Sequence, residues 1–355
     1  MAGPGRMQID AYVALAALIV GFTVGLTGMG GGALMTPILV LLFKVQPLAA
    51  VSSDLVASMI MKPIGSSVHI RRGPVRWELV RWLALGSVPS AFAGVFILRS
   101  LGDNQHVQDN IKILLGATLM LAATAMVLKA WLQGRQSLRL REEGLALTKQ
   151  LGPVNVKKFS TLLVGMIGGL LVGMTSVGSG SVIIVCMLLM YPNLRSAHLV
   201  GTDLAQAVPL VGSAAIAHIL FGQFELSLTS SVLIGAIPGV YIGARMSSKA
   251  PDGVIRPALV YVLLASGLKL VNVPTETLGY VMLGVALVGL PLWGAIDALA
   301  HPQRDWTSAG LDRRRWIGLQ AAGAPFGVGF AAAVAYFAKA RPQLEAATAK
   351  ADRAA

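Results

Sequence analysis

The stretch GLTGMGGGALMTP, Gly25 to Pro37, sets five glycines within eight residues in the middle of a long apolar run. Glycine in a helix interior costs about 1 kcal/mol relative to alanine, so a run this dense marks a break in the helix rather than a weak helix. The chain around it is built for lipid. Of its 355 residues 55% are hydrophobic and only 13% are charged, against about 25% charged for a soluble domain. Apolar runs near the roughly 20 residues that span a bilayer recur at 82–98, 113–128, 278–296 and 317–337. These features define an all-α polytopic membrane protein.

The formal net charge of +13 sits in short basic clusters between apolar runs, without interleaved aromatics. That pattern marks cytoplasmic loops and excludes a nucleic-acid partner. A single cysteine, Cys186, leaves no internal disulfide and no multi-cysteine metal site. Arg6 ahead of the first apolar run imitates a signal peptide, but no small-residue cleavage site follows, so the run reads as a retained first helix.

Sliding the chain against itself exposes a duplication. At an offset of 148, Gly21, Gly25, Thr27, Gly30 and Gly32 fall on Gly169, Gly173, Thr175, Gly178 and Gly180. At an offset of 149, Asp54, His69, Gly86, Pro89 and Gly94 fall on Asp203, His218, Gly235, Pro238 and Gly243. The organisation expected is a first transmembrane repeat over 1–132, a basic cytoplasmic linker over 133–158, a second repeat over 159–272, and an extension over 273–355. Each repeat carries a Gly-rich broken helix, about 12–43 and 160–190, followed by a span holding the Asp and His. Two extra transmembrane helices, near 278–298 and 317–337, and a polar tail make up the extension.

In a membrane, non-helical backbone survives only where protein buries it or where it lines a watery cavity. Broken helices at matching places in two repeats point to a transporter's binding site, because freed N–H groups and a following helix N-terminus favour an anion. The candidate substrate-binding groups are therefore the N–H donors of Gly30, Gly31, Gly32, Gly178, Ser179 and Gly180, and the hydroxyls of Thr27, Thr175, Ser176 and Ser179. Gly21, Gly25, Gly169 and Gly173, four apart in each pair, read instead as close-packing positions between helices.

Asp54 and Asp203 occupy the same repeat position inside apolar spans, where an ionised carboxylate costs about 2.5–3.5 kcal/mol at the helix centre. Two readings stand: a coupling or gating pair, or helix N-caps in the sequences Ser52-Ser53-Asp54 and Gly201-Thr202-Asp203. Lys62 has no basic counterpart in the second half and is a candidate anion contact. Gln206, three residues after Asp203, shares its helical face. His69 and His218 end their spans, where an interfacial histidine is chiefly structural. No cofactor or metal site is expected, and no His-x-x-x-His or His-Glu pair supports a membrane-embedded enzyme.

The Gly-rich break ending at Pro37, the Asp54 segment, His69-Ile-Arg-Arg-Gly73, the Gly86 to Gly94 span, Gly201-Thr-Asp-Leu204 and the Gly235 to Gly243 span together resemble the TauE/SafE sulfite-exporter family over about residues 9 to 271. The resemblance implies a duplicated permease of the inner membrane moving sulfite, a sulfonate or a related anion by secondary transport. Alternatives are a passive anion channel, a permease for a non-sulfur organic anion and, remotely, a membrane-embedded enzyme. Proton coupling and homo-oligomerisation are left open. The extension runs past the usual end of that family. If each broken segment crosses once, the repeats are parallel; if each turns back as a hairpin, they are inverted, and the basic residues then gather more strongly on one side.

Overall fold

The structure is a computed structural model describing residues 9–27, 32–70, 75–100, 102, 104–142, 156–192, 194, 196–221, 224–247, 252–299, 301, 303–323, 328–344 and 346–347. Among them every regular element is a helix. Among the described residues seven helical stretches are long and apolar enough to cross a membrane.

The chain divides into two units. The first comprises Met1–Lys129, Gly152–Ala250 and Ser266–Asn272. It opens with α1 (Ala11–Thr27), α2 (Gly32–Leu41), α3 (Pro47–Ile70) and α4 (Trp77–Ser100). The helix α5 (Gln105–Glu142) leads out of this set, and α6 (Lys158–Thr175), α7 (Val182–Met190), α8 (Ser196–Phe221) and α9 (Leu226–Met246) complete it. The next helix is α10 (Asp252–Leu270).

Helix α1 packs along α9 and α4 along α6. Both seams are made by glycines: Gly21 and Gly25 face Ala236 and Val240, while Gly169 and Gly173 face Ser87 and Ala91. A methyl group at any of the four would run into the opposite backbone, which is the close approach that small residues permit in lipid. Residue numbers rise together across each seam, so the paired helices are parallel. Helix α8 also runs with α4, since Ser87 meets Gln206 and Arg99 reaches the carbonyl of Phe221. It runs against α3: Ser52 meets His218, and Ser66 meets the carbonyl of Leu204.

Because α4, α6 and α8 share one direction, the chain must reverse between α6 and α8. It does so at residues 176–181. Tyr191, at the end of α7, returns its hydroxyl to Thr161 (2.6 Å) and to the backbone N–H of Lys157 (3.0 Å), and Ile183 lies over Gly168. The broken segment is a helical hairpin with one full arm and one short one. Nine residues of α7 rise about 14 Å at 1.5 Å each, roughly half of the hydrocarbon thickness.

The second unit comprises Ala130–Leu151, Pro251–Ala265 and Val273–Ala355. Helices α11 (Thr275–Gly284) and α12 (Leu290–Leu299), joined by a π-helical turn at Val285–Gly289, form one stretch of transmembrane length. This coincides with the span expected at 278–298. The one expected at 317–337 falls on α14 (Arg313–Gly323) and α15 (Val328–Ala335), with residues 324–327 outside the described set. The short α13 (Gln303–Ser308) precedes them. Trp306 stacks on Tyr336 at 6.3 Å between ring centres, and Asp297 Oδ2 accepts the Tyr336 hydroxyl (2.9 Å) and pairs with Arg341 Nε (3.1 Å).

Candidate functional site

The reversal in the second broken segment has a defined local cause. Ser176 leaves the helix in the left-handed region (φ 60°) with its N–H still bonded to the carbonyl of Val172, and Gly178 follows at φ 122°, a conformation that favours glycine. Thr175 donates its hydroxyl to the carbonyl of Leu171 and accepts the N–H of Val177 (3.3 Å). The carbonyl of Gly178 takes the N–H groups of Ser181, Val182 and Ile183. Backbone needs are thus met largely within the turn. The hydroxyls of Ser176 and Ser179 are left to face its surroundings.

Those hydroxyls reach the first half of the chain. Ser176 donates to Asp54 Oδ2 (2.7 Å), and Ser179 accepts the Lys62 ammonium (2.8 Å). Lys129, on α5, approaches the carbonyl of Gly180 at 3.5 Å. Gly32, at the head of α2, lies so close to Ser176 that a Cβ would overlap the serine carbonyl. The start of α2 and the second break are therefore in direct contact. Gly30 and Gly31, predicted as N–H donors, lie outside the described residues.

Asp54 is fully buried in α3, and Oδ2 also accepts the Thr36 hydroxyl (2.9 Å). Its other oxygen, Oδ1, has no hydrogen-bond partner among the described residues; nor have the neighbouring hydroxyls of Ser53 and Ser58. Asp203, 3% exposed on α8, accepts from Gln206 Nε2 (3.2 Å), whose Oε1 accepts the Ser87 hydroxyl (3.1 Å). Lys62 stands within Coulombic reach of both carboxylates, and Lys129 within reach of Asp203. Each aspartate lies seven residues into its helix. Neither is an N-cap, which removes the capping alternative.

The structure gathers Gly32, Asp54, Lys62, Ser176, Ser179, Gly180, Asp203 and Gln206 into one polar centre of the first unit. Thr27 and Thr175 are drawn into their own helices: Thr27 donates to the carbonyl of Thr23 (2.8 Å), as Thr175 does to Leu171. His218 serves packing. Nε2 must donate to the carbonyl of Gly173 (2.9 Å), so Nδ1 of the neutral ring accepts from Ser52 (2.8 Å). The side chain of His69 lies outside the described set.

Sequence reading missed Thr36, Ser87 and Lys129. The signal for Lys129 was its place at the foot of the apolar run 113–128, a lysine with lipid-length helix before it. Thr36 and Ser87 gave none, because a hydroxyl in a transmembrane helix most often bonds its own preceding turn. Among the described residues no group of three His, Cys, Asp or Glu side chains could hold a metal ion. What the centre offers is two ammonium groups and several hydroxyls suited to a small anion, balanced by two carboxylates.

The chain is also similar in sequence to known proteins. Residues 13–270 match the family described as Sulfite exporter TauE/SafE. The chain is similar to the "Probable membrane transporter protein YjnA" of Bacillus subtilis (strain 168), 37% identical over 264 residues, which cover 74% of this chain and all of the relative. It is also similar to the "Probable membrane transporter protein YdhB" of the same organism, 24% identical over 73% of this chain and 98% of the relative. No solved structure matches.

Proposed function

The chain belongs to the sulfite exporter TauE/SafE family, and from that premise we propose that it is a secondary permease for a small anion, sulfite or an organosulfonate. It is a multi-pass inner-membrane protein, and its role is transport rather than catalysis. The convergence of Lys62 and Lys129 on the consecutive residues Ser179 and Gly180 carries the anion reading. Two ammonium groups from different helices meet at a helix break, at the N-terminal side of α7, where the helix dipole also favours negative charge. Asp54 and Asp203 couple or gate the passage. An intramembrane carboxylate is expensive unless it is paired or functional.

The two halves are inverted repeats in this reading, 1–132 and 159–272, joined by the linker 133–158 and followed by the extension 273–355. Two features support it. The partners are exchanged between halves, α1 with α9 and α4 with the α1 counterpart α6. The counterpart helices α3 and α8 run antiparallel, as a two-fold axis in the membrane plane requires.

Labelled sulfite flux in proteoliposomes containing the purified chain tests the function, with sulfate, thiosulfate and a sulfonate as competitors. Saturable flux driven by an imposed cation gradient is expected. Non-saturable conductance would make the chain a channel, and absence of flux for every sulfur anion in folded, inserted protein would overturn the substrate assignment.

A further inference from the structure

Asp54 and Asp203 hold matching positions in the sequence, yet their surroundings differ in kind. Asp203 has nitrogen partners: Gln206 bonds it, and Lys62 and Lys129 face it. At Asp54 the hydrogen bonds come only from oxygen, and Lys62 faces the carboxylate without bonding it. Thr36 and Ser176 both donate to Oδ2, the Ser58 hydroxyl one turn along α3 is near enough to lend the carboxylate a weak interaction, and among the described residues Oδ1 has no partner at normal hydrogen-bond distance. Lys62 gives its hydrogen bond to Ser179, not to Asp54.

A buried carboxylate oxygen without a donor, beside buried hydroxyls that bond no other described residue, calls for a further ligand, a water or a cation. We propose that Asp54 Oδ1, with the hydroxyl oxygens of Ser58, Ser176 and Thr36, is a binding site for one sodium ion, and that this ion is the coupling cation of the permease. The inference rests on the transport reading above for its coupling role, but not for the site itself.

Three features select the ion. The donors are all hard oxygens, which disfavours transition metals. One carboxylate suits a single positive charge, whereas calcium takes six to eight oxygens and commonly several carboxylates. Thr36 and Ser176 spend their protons on Oδ2, so their own lone pairs stay available as ligands. A proton on Oδ1 would satisfy one further oxygen at most, and among the described residues neither Ser53 Oγ nor Ser58 Oγ has a partner at normal hydrogen-bond distance. The site also adjoins the C-terminal end of α6 through Ser176, where the helix dipole favours a cation. Half-helix ends used this way hold coupling ions in broken-helix transporters.

Charge balance then explains coupling. Asp54, Asp203, Lys62 and Lys129 sum to zero, so the empty centre is neutral. An anion alone, or a sodium ion alone, leaves a net charge in a low-dielectric interior. The two together restore neutrality, and each therefore raises the affinity for the other.

The test is direct binding of radiolabelled sodium to the purified full chain in detergent, with potassium and choline as competitors, alongside sulfite flux in sodium and in choline media. Saturable binding near one ion per chain is expected, lost in Asp54→Asn and weakened several-fold in Ser58→Ala, which removes a ligand oxygen without changing the charge of the centre. Size-exclusion profiles identify any variant that fails to fold, and Ser58→Ala carries the test if Asp54→Asn is one of them. Absence of saturable binding in the wild-type chain, or binding that survives Asp54→Asn, would overturn the site. Saturable sulfite flux equal in sodium and choline would overturn the coupling while leaving the permease standing; sodium binding without flux of any sulfur anion would leave the site standing and overturn the permease reading, and the coupling with it.

Discussion

Ser176 donates its hydroxyl to Asp54 across 122 residues of sequence, at 2.7 Å, with both groups buried. This bond ties the break in one half of the chain to the acidic helix of the other. It makes a single centre out of two motifs that lie far apart along the backbone.

Asp203 is the carboxylate that the two lysines share. Replacing it with asparagine leaves Lys62 and Lys129 without their common counter-charge. The expected outcome for Asp203→Asn is normal insertion with loss of coupled sulfite flux, measured in proteoliposomes at matched protein density. Wild-type flux would remove Asp203 from the transport mechanism.

Lys62 bonds Ser179 and faces both aspartates. Lys62→Gln keeps a donor for Ser179 but deletes the charge, and one charge-assisted hydrogen bond is worth about 1.5–3 kcal/mol. The expected result is a rise in sulfite KM of about tenfold or more, with Lys129→Gln giving a smaller rise because its contact is longer, 3.5 Å against 2.8 Å. Concentration-dependent initial rates distinguish the two.

Gly32→Ala places a methyl group on the Ser176 carbonyl. Overpacking of this kind costs about 1–3 kcal/mol, so thermal unfolding in detergent should shift to lower temperature. Flux should fall with it, because the same contact seats Ser176 against Asp54. Unchanged stability and flux would show that the start of α2 and the turn after α6 can part without consequence.

Val75, between α3 and α4, and Phe224, between α8 and α9, are counterparts at the offset of 149. Inverted repeats put them on opposite sides of the membrane. In a Cys186→Ser background, Val75→Cys and Phe224→Cys should react with an impermeant thiol reagent from opposite faces of oriented vesicles. Labelling from the same face would require parallel repeats.

The amino-acid sequence determined the membrane class and the family resemblance, because these depend on composition and on runs of neighbouring residues. A bilayer imposes its length and polarity on each segment separately, and five glycines in eight residues disfavour a helix wherever they occur. The glycine seams were legible for the same reason, as small residues four apart on one helical face. Packing alone decided the rest. The seven-residue depth of Asp54 and Asp203 within their helices, which rules out capping, depends on where each helix starts. The seating of α7 back along α6 depends on Tyr191 finding Thr161. Lys129 reaches Gly180, and Thr36 reaches Asp54, only because α5, α7, α2 and α3 are brought side by side. A buried charge needs a partner, but nothing in the local sequence names which one; that choice belongs to the tertiary fold, where distance rather than chain position sets the energy.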